Sequence, residues 1–153
     1  MGITRKAGAT ALALAALGTA LTVATPANAA TPTAATPNCT KLKSTNLGNG
    51  WFLNTPGYDA PKGSSSFNCY LELGDRNGAV LWLQKTIAYC YDDGDIVEDG
   101  IYGPLTRDKV KAVQRHGGAP QTGIYGPITR KSMQWRLYNV NTKRYSELCY
   151  KVR

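Results

Sequence analysis

Apolar residues in the second half of the chain recur at helical spacing. After a polar turn at residues 74–78, four of them lie three or four positions apart: Val80, Leu83, Ile87 and Tyr91. That period predicts a first helix over about residues 77–89. An acidic, glycine-containing loop follows at residues 92–100.

An eight-residue box then occurs twice. Residues 100–107 (GIYGPLTR) return as residues 123–130 (GIYGPITR), so seven of the eight residues recur at a spacing of 23. Such a repeat indicates one small structural unit used twice, packed about a pseudo-twofold axis. The two copies are named here the first box and the second box.

Each box predicts the start of a helix. Its Gly-Pro pair puts proline at the first helical position, where the missing N–H is harmless. Helices are therefore expected over about residues 104–115 and 127–137, separated by the glycine-rich turn at residues 116–120. The side chains expected to face inward are Leu105, Val110, Val113, Ile128, Met133 and Leu137.

The preceding stretch has a different composition. Residues 39–70 are rich in Gly, Asn, Ser and Pro, with short apolar runs at residues 51–53 and 67–73. This pattern predicts a small hairpin or loop layer. The length supports one core, so a single compact domain is expected.

The N-terminal segment is typical of a secretory leader. Arg5 and Lys6 precede a largely apolar stretch at residues 7–23, and small residues follow at 27–29. Residues 1–29 are therefore predicted to be a signal peptide and not a transmembrane helix. Residues 30–38 form a Thr/Pro/Ala linker.

The four cysteines indicate disulfides, because an even count is typical of small exported chains. Three pairings are possible. We favour Cys39 with Cys69, which closes the extension at residues 39–72, and Cys90 with Cys149, which pins the tail at residues 139–153. Zinc is disfavoured because no two cysteines are close in sequence and the chain has a single histidine.

Charge narrows the choice of partner. The chain carries a formal net charge of +8, and about +6 remains without Arg5 and Lys6. Positive chains often bind nucleic acid, but export points instead to an anionic surface such as a bacterial wall. We expect no nucleic-acid partner, no membrane contact once the leader is removed, and a monomer, since no heptad or long apolar edge is seen.

Residues 73–138 resemble a known module. The resemblance lies in Leu73-Gly74-Asp75, in Leu83-Gln84, and in the two Gly-x-x-Gly-Pro-x-Thr boxes with their spacing. Together these are similar to the peptidoglycan-binding domain of the three-helix type. The resemblance implies a mainly α fold, a three-helix bundle with pseudo-twofold symmetry, here with a disulfide-closed N-terminal extension. It also implies attachment to the cell-wall polymer of bacteria, with the flanking extensions similar to those of small exported Gram-positive proteins.

Paired side chains are the candidate ligand contacts. Tyr102 and Tyr125 precede the two predicted helices, where each could stack on a sugar or peptide or else pack in the core. Arg107 and Arg130 fall in the first helical turns, where a wall carboxylate could bind; solvated arginine, or pairing of Arg107 with the acidic loop, is the alternative.

Polar residues near the boxes have two possible roles. Gln84 and Gln114 occupy inward helical positions, where an amide satisfies loop backbone groups or reaches a ligand. Asp99 is expected to fix its turn more than to touch a ligand. Trp82 and Trp135 are expected on partly exposed helix faces.

The sequence favours a binding protein over an enzyme. A single histidine cannot supply a peptidase metal site, and no Gly-x-Ser-x-Gly elbow is present. Glu72, Glu98 and Glu147 could serve a glycosidase by number, but none lies in a segment resembling a cleft. The predicted function is cofactor-free, non-catalytic binding of peptidoglycan by a stand-alone secreted or wall-associated module. The alternatives are a module that targets or regulates a wall hydrolase, and a small hydrolase with its site in residues 39–72.

Overall fold

The computed structural model describes residues 36–152, which lie within one compact unit. The predicted leader and residues 30–35 of the predicted linker lie outside the described residues. The elements in chain order are β1 (Lys41–Gly48), β2 (Trp51–Gly57), α1 (Gly78–Cys90), α2 (Pro104–Gly117), α3 (Pro127–Ser132), β3 (Gln134–Asn139) and β4 (Arg144–Lys151).

The mainly α prediction is wrong, because a four-stranded antiparallel sheet accompanies the three helices. Its strand order is β1-β2-β3-β4. The predicted hairpin layer is β1 and β2, while β3 and β4 bring the C-terminal residues alongside it. The sheet thus joins the two ends of the described chain.

The third helix is shorter than predicted. It ends at Ser132, and Met133 has extended backbone angles of φ −76° and ψ 160°. The apolar positions taken for its inner face, Ile128, Met133 and Leu137, are five and four residues apart, which is a poor helical period. Residues 134–139 instead pair with β2 and β4.

Local sequence explains the tight turns and helix ends. Asn49 and Gly50 join β1 to β2 with φ values of 51° and 78°, as an Asn-Gly hairpin turn requires. The Asn77 side chain caps α1 by accepting from the backbone N–H groups of Ala79 and Val80 at 2.9 and 3.1 Å. Both Gly-Pro pairs start helices with proline in the first turn, as expected.

The core lies between the sheet and the helices. Trp135 from β3, together with Tyr102 and Tyr125 from the boxes, are its largest fully buried side chains. Two predictions of inward positions are wrong, since Leu105 is 43% and Ile128 is 65% exposed. Trp135 was expected on a helix face but is a buried strand residue.

The disulfides pair as favoured from the sequence. Cys39 bonds to Cys69, and Cys90 bonds to Cys149. The second bond joins the end of α1 to β4, so it fixes the sheet to the helices. Among residues 36–152, no helix is long and apolar enough to cross a membrane.

Candidate functional site

The first box is held together by one buried amide. Gln84 Nε2 lies 2.9 Å from Asp99 Oδ1, 3.0 Å from the Ile101 carbonyl oxygen and 3.1 Å from Thr106 Oγ1. Its Oε1 accepts from the Gly100 N–H at 2.8 Å. The amide therefore ties α1 to the loop and helix start of the first box.

Gln114 repeats this arrangement in the second box. Its Nε2 lies 2.8 Å from Thr129 Oγ1, 2.9 Å from the Ile124 carbonyl oxygen and 3.1 Å from Thr122 Oγ1. The Gly123 N–H donates to its Oε1 at 2.9 Å. The repeat in sequence is thus a repeat of one hydrogen-bonded unit, in which Thr122 replaces Asp99.

The structural roles of these polar residues are plain from their contacts. Gln84 and Gln114 are buried, and their amides are used within the fold. Asp99 accepts from the Ile101 N–H and from Gln84, and these hydrogen bonds lower the pKa of its carboxyl. A direct ligand contact by Gln84 or Asp99 stays a prediction.

The two box tyrosines were considered as ligand platforms, but both side chains are buried. Tyr102 is 0% and Tyr125 is 1% exposed, so neither ring can stack on a ligand while the core is intact. The Tyr102 hydroxyl donates to the Gly123 carbonyl oxygen at 2.9 Å, which ties the first box to the second. Of the two roles considered, core packing is the observed one.

A short segment before α1 crosses both boxes. The N–H of Leu71 donates to the Tyr125 carbonyl at 3.0 Å, and the Tyr125 N–H returns a bond of 2.9 Å. Three residues later the Gly74 N–H donates to the Tyr102 carbonyl at 3.0 Å. The end of the extension at Leu71, and Gly74 after it, are therefore hydrogen-bonded parts of the box structure.

Beside the second box this segment forms a groove of about 410 Å³, named here the second-box groove. Tyr70 packs across Gly126 so closely that a Cβ at Gly126 would lie 2.5 Å from its ring. The lining residues are Thr36, Tyr70, Glu72, Gln114, Pro120, Thr122, Ile124, Gly126, Pro127, Ile128 and Thr129.

The groove combines apolar walls with a polar rim. Exposed Ile124, Ile128 and the Tyr70 ring supply apolar contact area, while Glu72 and Thr122 supply acceptor and hydroxyl groups. The sequence did not indicate this surface because Ile128 was predicted to lie in the core and Tyr70 in a hairpin or loop layer without a ligand role. It also placed Glu72 outside any cleft, which is wrong.

The two box arginines differ sharply. Arg107 is partly exposed and its Nε lies 3.1 Å from Asp108 Oδ1, so it pairs with its neighbour and not with the acidic loop. Arg130 is only 8% exposed, and its Nε donates to Thr55 Oγ1 of β2 at 2.9 Å. Its guanidinium lies 3.9 Å from the centroid of Phe67. Because α3 has six residues, its end offers little of the helix dipole that the sequence interpretation invoked.

No group of three or more His, Cys, Asp or Glu side chains suited to a metal occurs in the described part of the chain. The acidic loop contributes instead to an ion pair, in which Lys109 Nζ lies 2.6 Å from Asp93 Oδ1. This contact anchors the loop to α2 and raises the pKa of Lys109.

Comparison with known proteins identifies the helical part. No curated protein matches the chain. Residues 76–133 match the family model described as "Putative peptidoglycan binding domain". The match covers all three helices and both boxes, whereas all four strands lie outside it. It confirms the family resemblance found in the sequence. Residues 76–133 are therefore similar to a peptidoglycan-binding domain.

Proposed function

We propose that this protein is an exported, non-catalytic binder of peptidoglycan and that it holds the polymer in the second-box groove. The observation that carries the proposal is the groove itself, a 410 Å³ surface built where the extension meets the family domain. The disulfides and the domain together favour an extracellular or wall-associated location.

The chemistry of the groove suits a wall polymer. The ring of Tyr70 and the side chains of Ile124 and Ile128 offer apolar contact to a sugar face or to a small peptide side chain. Glu72 and Thr122 can accept hydrogen bonds from sugar hydroxyls or amide N–H groups at the rim. Specific binding sites commonly combine such apolar walls with a few polar groups.

The carboxylates of the groove and of the extension favour binding over cleavage. Among residues 36–152, Glu72 is the one carboxylate that lines the groove, whereas a glycosidase of the usual kind needs two across the scissile bond. Asp59 in the extension is paired with Lys41 and Lys43, and these hydrogen bonds lower its pKa to about 2. A general acid needs the opposite shift.

A sedimentation assay with purified peptidoglycan, stripped of anionic polymers, tests the proposal. The probe variant is Ile128→Ser, which shortens an exposed groove side chain. Leu105→Ser is its matched control, because Leu105 holds the same position in the first box and is also exposed. We expect Ile128→Ser to weaken binding about tenfold, since a covered aliphatic side chain contributes about 1.5 kcal/mol or more. Leu105→Ser should bind as the unchanged protein does.

The same assay separates the competing functions. Equal loss in both variants, or binding abolished by salt alone, would contradict recognition in the groove. Binding that requires an added wall hydrolase would favour the targeting or regulatory role. Loss of turbidity from a wall suspension would reveal a hydrolase in the extension.

A further inference from the structure

Arg130 is a buried cation without an anionic partner. It lies on α3, beneath the loop that carries Phe67, and 92% of its surface is covered. No acidic side chain of residues 36–152 pairs with it, although Arg107, Lys109 and Lys111 all have such partners. Burying a charge without an oppositely charged partner is unfavourable. The buried Arg130 guanidinium therefore suggests that an anion from outside the described chain binds to it.

The bonding capacity of Arg130 is only partly used. Its Nε donates to Thr55, and its plane is held against Phe67. Within the described residues neither Nη group donates a hydrogen bond, and neither is sealed from solvent. The side chain is therefore fixed in one orientation with its outer donors free.

Arg130 lines a small pocket of about 190 Å³. Lys131 adds a second positive charge, while Asn68 and Ser65 add polar groups that can donate hydrogen bonds. The lining residues are Ser65, Phe67, Asn68, Pro127, Arg130 and Lys131. No carboxylate from the described part of the chain lines this pocket, so its chemistry favours a small anion.

The pocket adjoins the proposed binding surface, because Pro127 lines both this pocket and the second-box groove. A polymer segment in the groove can therefore place a side branch in the pocket. Glycan strands of peptidoglycan carry peptide branches with carboxylate groups, which match the charge and size of the pocket.

We propose that the Arg130–Lys131 pocket binds a free carboxylate of a peptidoglycan stem peptide while the groove holds the adjoining polymer. This rests on the proposed function of the groove. A planar guanidinium fixed by packing can form two parallel bonds to a carboxylate. Phe67 can at the same time contact a small apolar side chain such as the methyl group of alanine.

The test is a titration of the oxidised protein with acetyl-D-alanyl-D-alanine, followed by backbone and arginine Nε–Hε NMR signals. The C-terminal amide of the same dipeptide and inorganic phosphate are the comparison ligands. Arg130→Lys keeps the charge but removes the fork, Lys131→Gln changes an exposed side chain, and Arg107→Lys is the matched substitution in the first box.

We expect the free acid to shift signals of Phe67, Asn68 and Arg130, and the amide to leave them unchanged. Arg130→Lys should weaken this binding about tenfold because a bidentate pair is lost. Lys131→Gln should weaken it about two- to fivefold, as for a rim charge, and Arg107→Lys should have no effect.

Equal binding of acid and amide, or of phosphate and acid, would overturn the assignment to a carboxylate. Absence of dipeptide binding would overturn it too, even where wall binding remains sensitive to Ile128→Ser. If the dipeptide does not bind but wall binding is still weakened by Ile128→Ser, the groove function stands and only the carboxylate site is refuted. If the protein does not recognise the wall in the sedimentation assay, the groove function itself is refuted. The two proposals therefore fail separately.

Discussion

The first and second boxes share seven of eight residues but lie in different surroundings. Each is organised by a buried glutamine that bonds a glycine N–H, a carbonyl and a threonine. Around the second box the extension adds Tyr70 over Gly126, and Phe67 and Thr55 against Arg130. At the first box a Cβ on the equivalent Gly103 would meet open space.

This difference distinguishes the hydrogen-bonded unit that both boxes share from the surface that is formed beside the second box. The repeated hydrogen bonds build two similar helix starts, which explains why the box sequence is used twice. The groove and the cationic pocket arise only where residues 65–72 cover the second copy. The repeat thus builds part of the helical core, and the asymmetric covering of the second copy forms the surface proposed to bind a ligand.

Of the changes considered, removing the Cys39–Cys69 disulfide should have the largest effect on stability and on the difference between the two boxes. The Cys39→Ser/Cys69→Ser variant frees a loop of 30 residues, and we expect a loss of about 3 to 4 kcal/mol in the free energy of unfolding. Urea denaturation measures the loss. Because the Cys39 N–H donates to the Tyr70 carbonyl, hydrogen exchange should accelerate more in the second box than in the first.

The matched control is Cys90→Ser/Cys149→Ser, which also removes one disulfide but frees β4 from α1. It should speed exchange in β4 more than in either box. Equal acceleration of both boxes after loss of the Cys39–Cys69 bond would argue against selective covering of the second.

Replacing the organising glutamines should have the next largest effect. Gln84→Leu and Gln114→Leu keep similar volume but leave the N–H of Gly100 or Gly123 without its acceptor. The Ile101 and Ile124 carbonyls keep hydrogen bonds from Thr106 and Thr129. We expect each to destabilise the protein by about 2 kcal/mol, from the unsatisfied glycine N–H and the lost amide hydrogen bonds. Thermal or urea unfolding measures the change. Losses that differ by more than about 1 kcal/mol between the two variants would refute the equivalence of the two units.

Removing the hydroxyl groups of the two box tyrosines should have smaller effects on stability, and these effects should differ between the boxes. Tyr102→Phe removes the bond to the Gly123 carbonyl and should cost about 1 to 2 kcal/mol. The Tyr125 hydroxyl is buried, and no hydrogen-bond partner for it is found among residues 36–152. Tyr125→Phe should therefore change the free energy of unfolding by less than about 0.5 kcal/mol, or stabilise the protein. Equal costs in the two variants would contradict this asymmetry.

The sequence predicted the parts of the fold that depend on local chemistry. The Gly-Pro pairs located the starts of α2 and α3, and the period of Val80, Leu83 and Ile87 located α1. Cysteine spacing and the need to close both ends led to the correct disulfide pairing. These signals act over a few residues or through one covalent bond, so they can be recognised without knowing the tertiary fold.

The sheet and the groove could not be predicted in this way. Residues 134–139 become a strand because they pair with β2 (Trp51–Gly57) on one side and β4 (Arg144–Lys151) on the other. The β2 partner is distant in sequence, so the local pattern does not reveal the pairing. Ile128 follows a helix-start proline and looks like a core residue, but the short α3 leaves it facing solvent. Tyr70 lines the groove because the extension packs on Gly126, and the local sequence does not indicate that contact.

The most direct test of the account is an NMR titration of the oxidised protein with a soluble peptidoglycan fragment that retains both glycan and stem peptide. We expect shifts centred on Tyr70, Glu72 and residues 123–131, with little change at the corresponding residues 100–108. Shifts centred on the first box, or equal shifts in both boxes, would contradict the claim that covering by the extension creates the binding site.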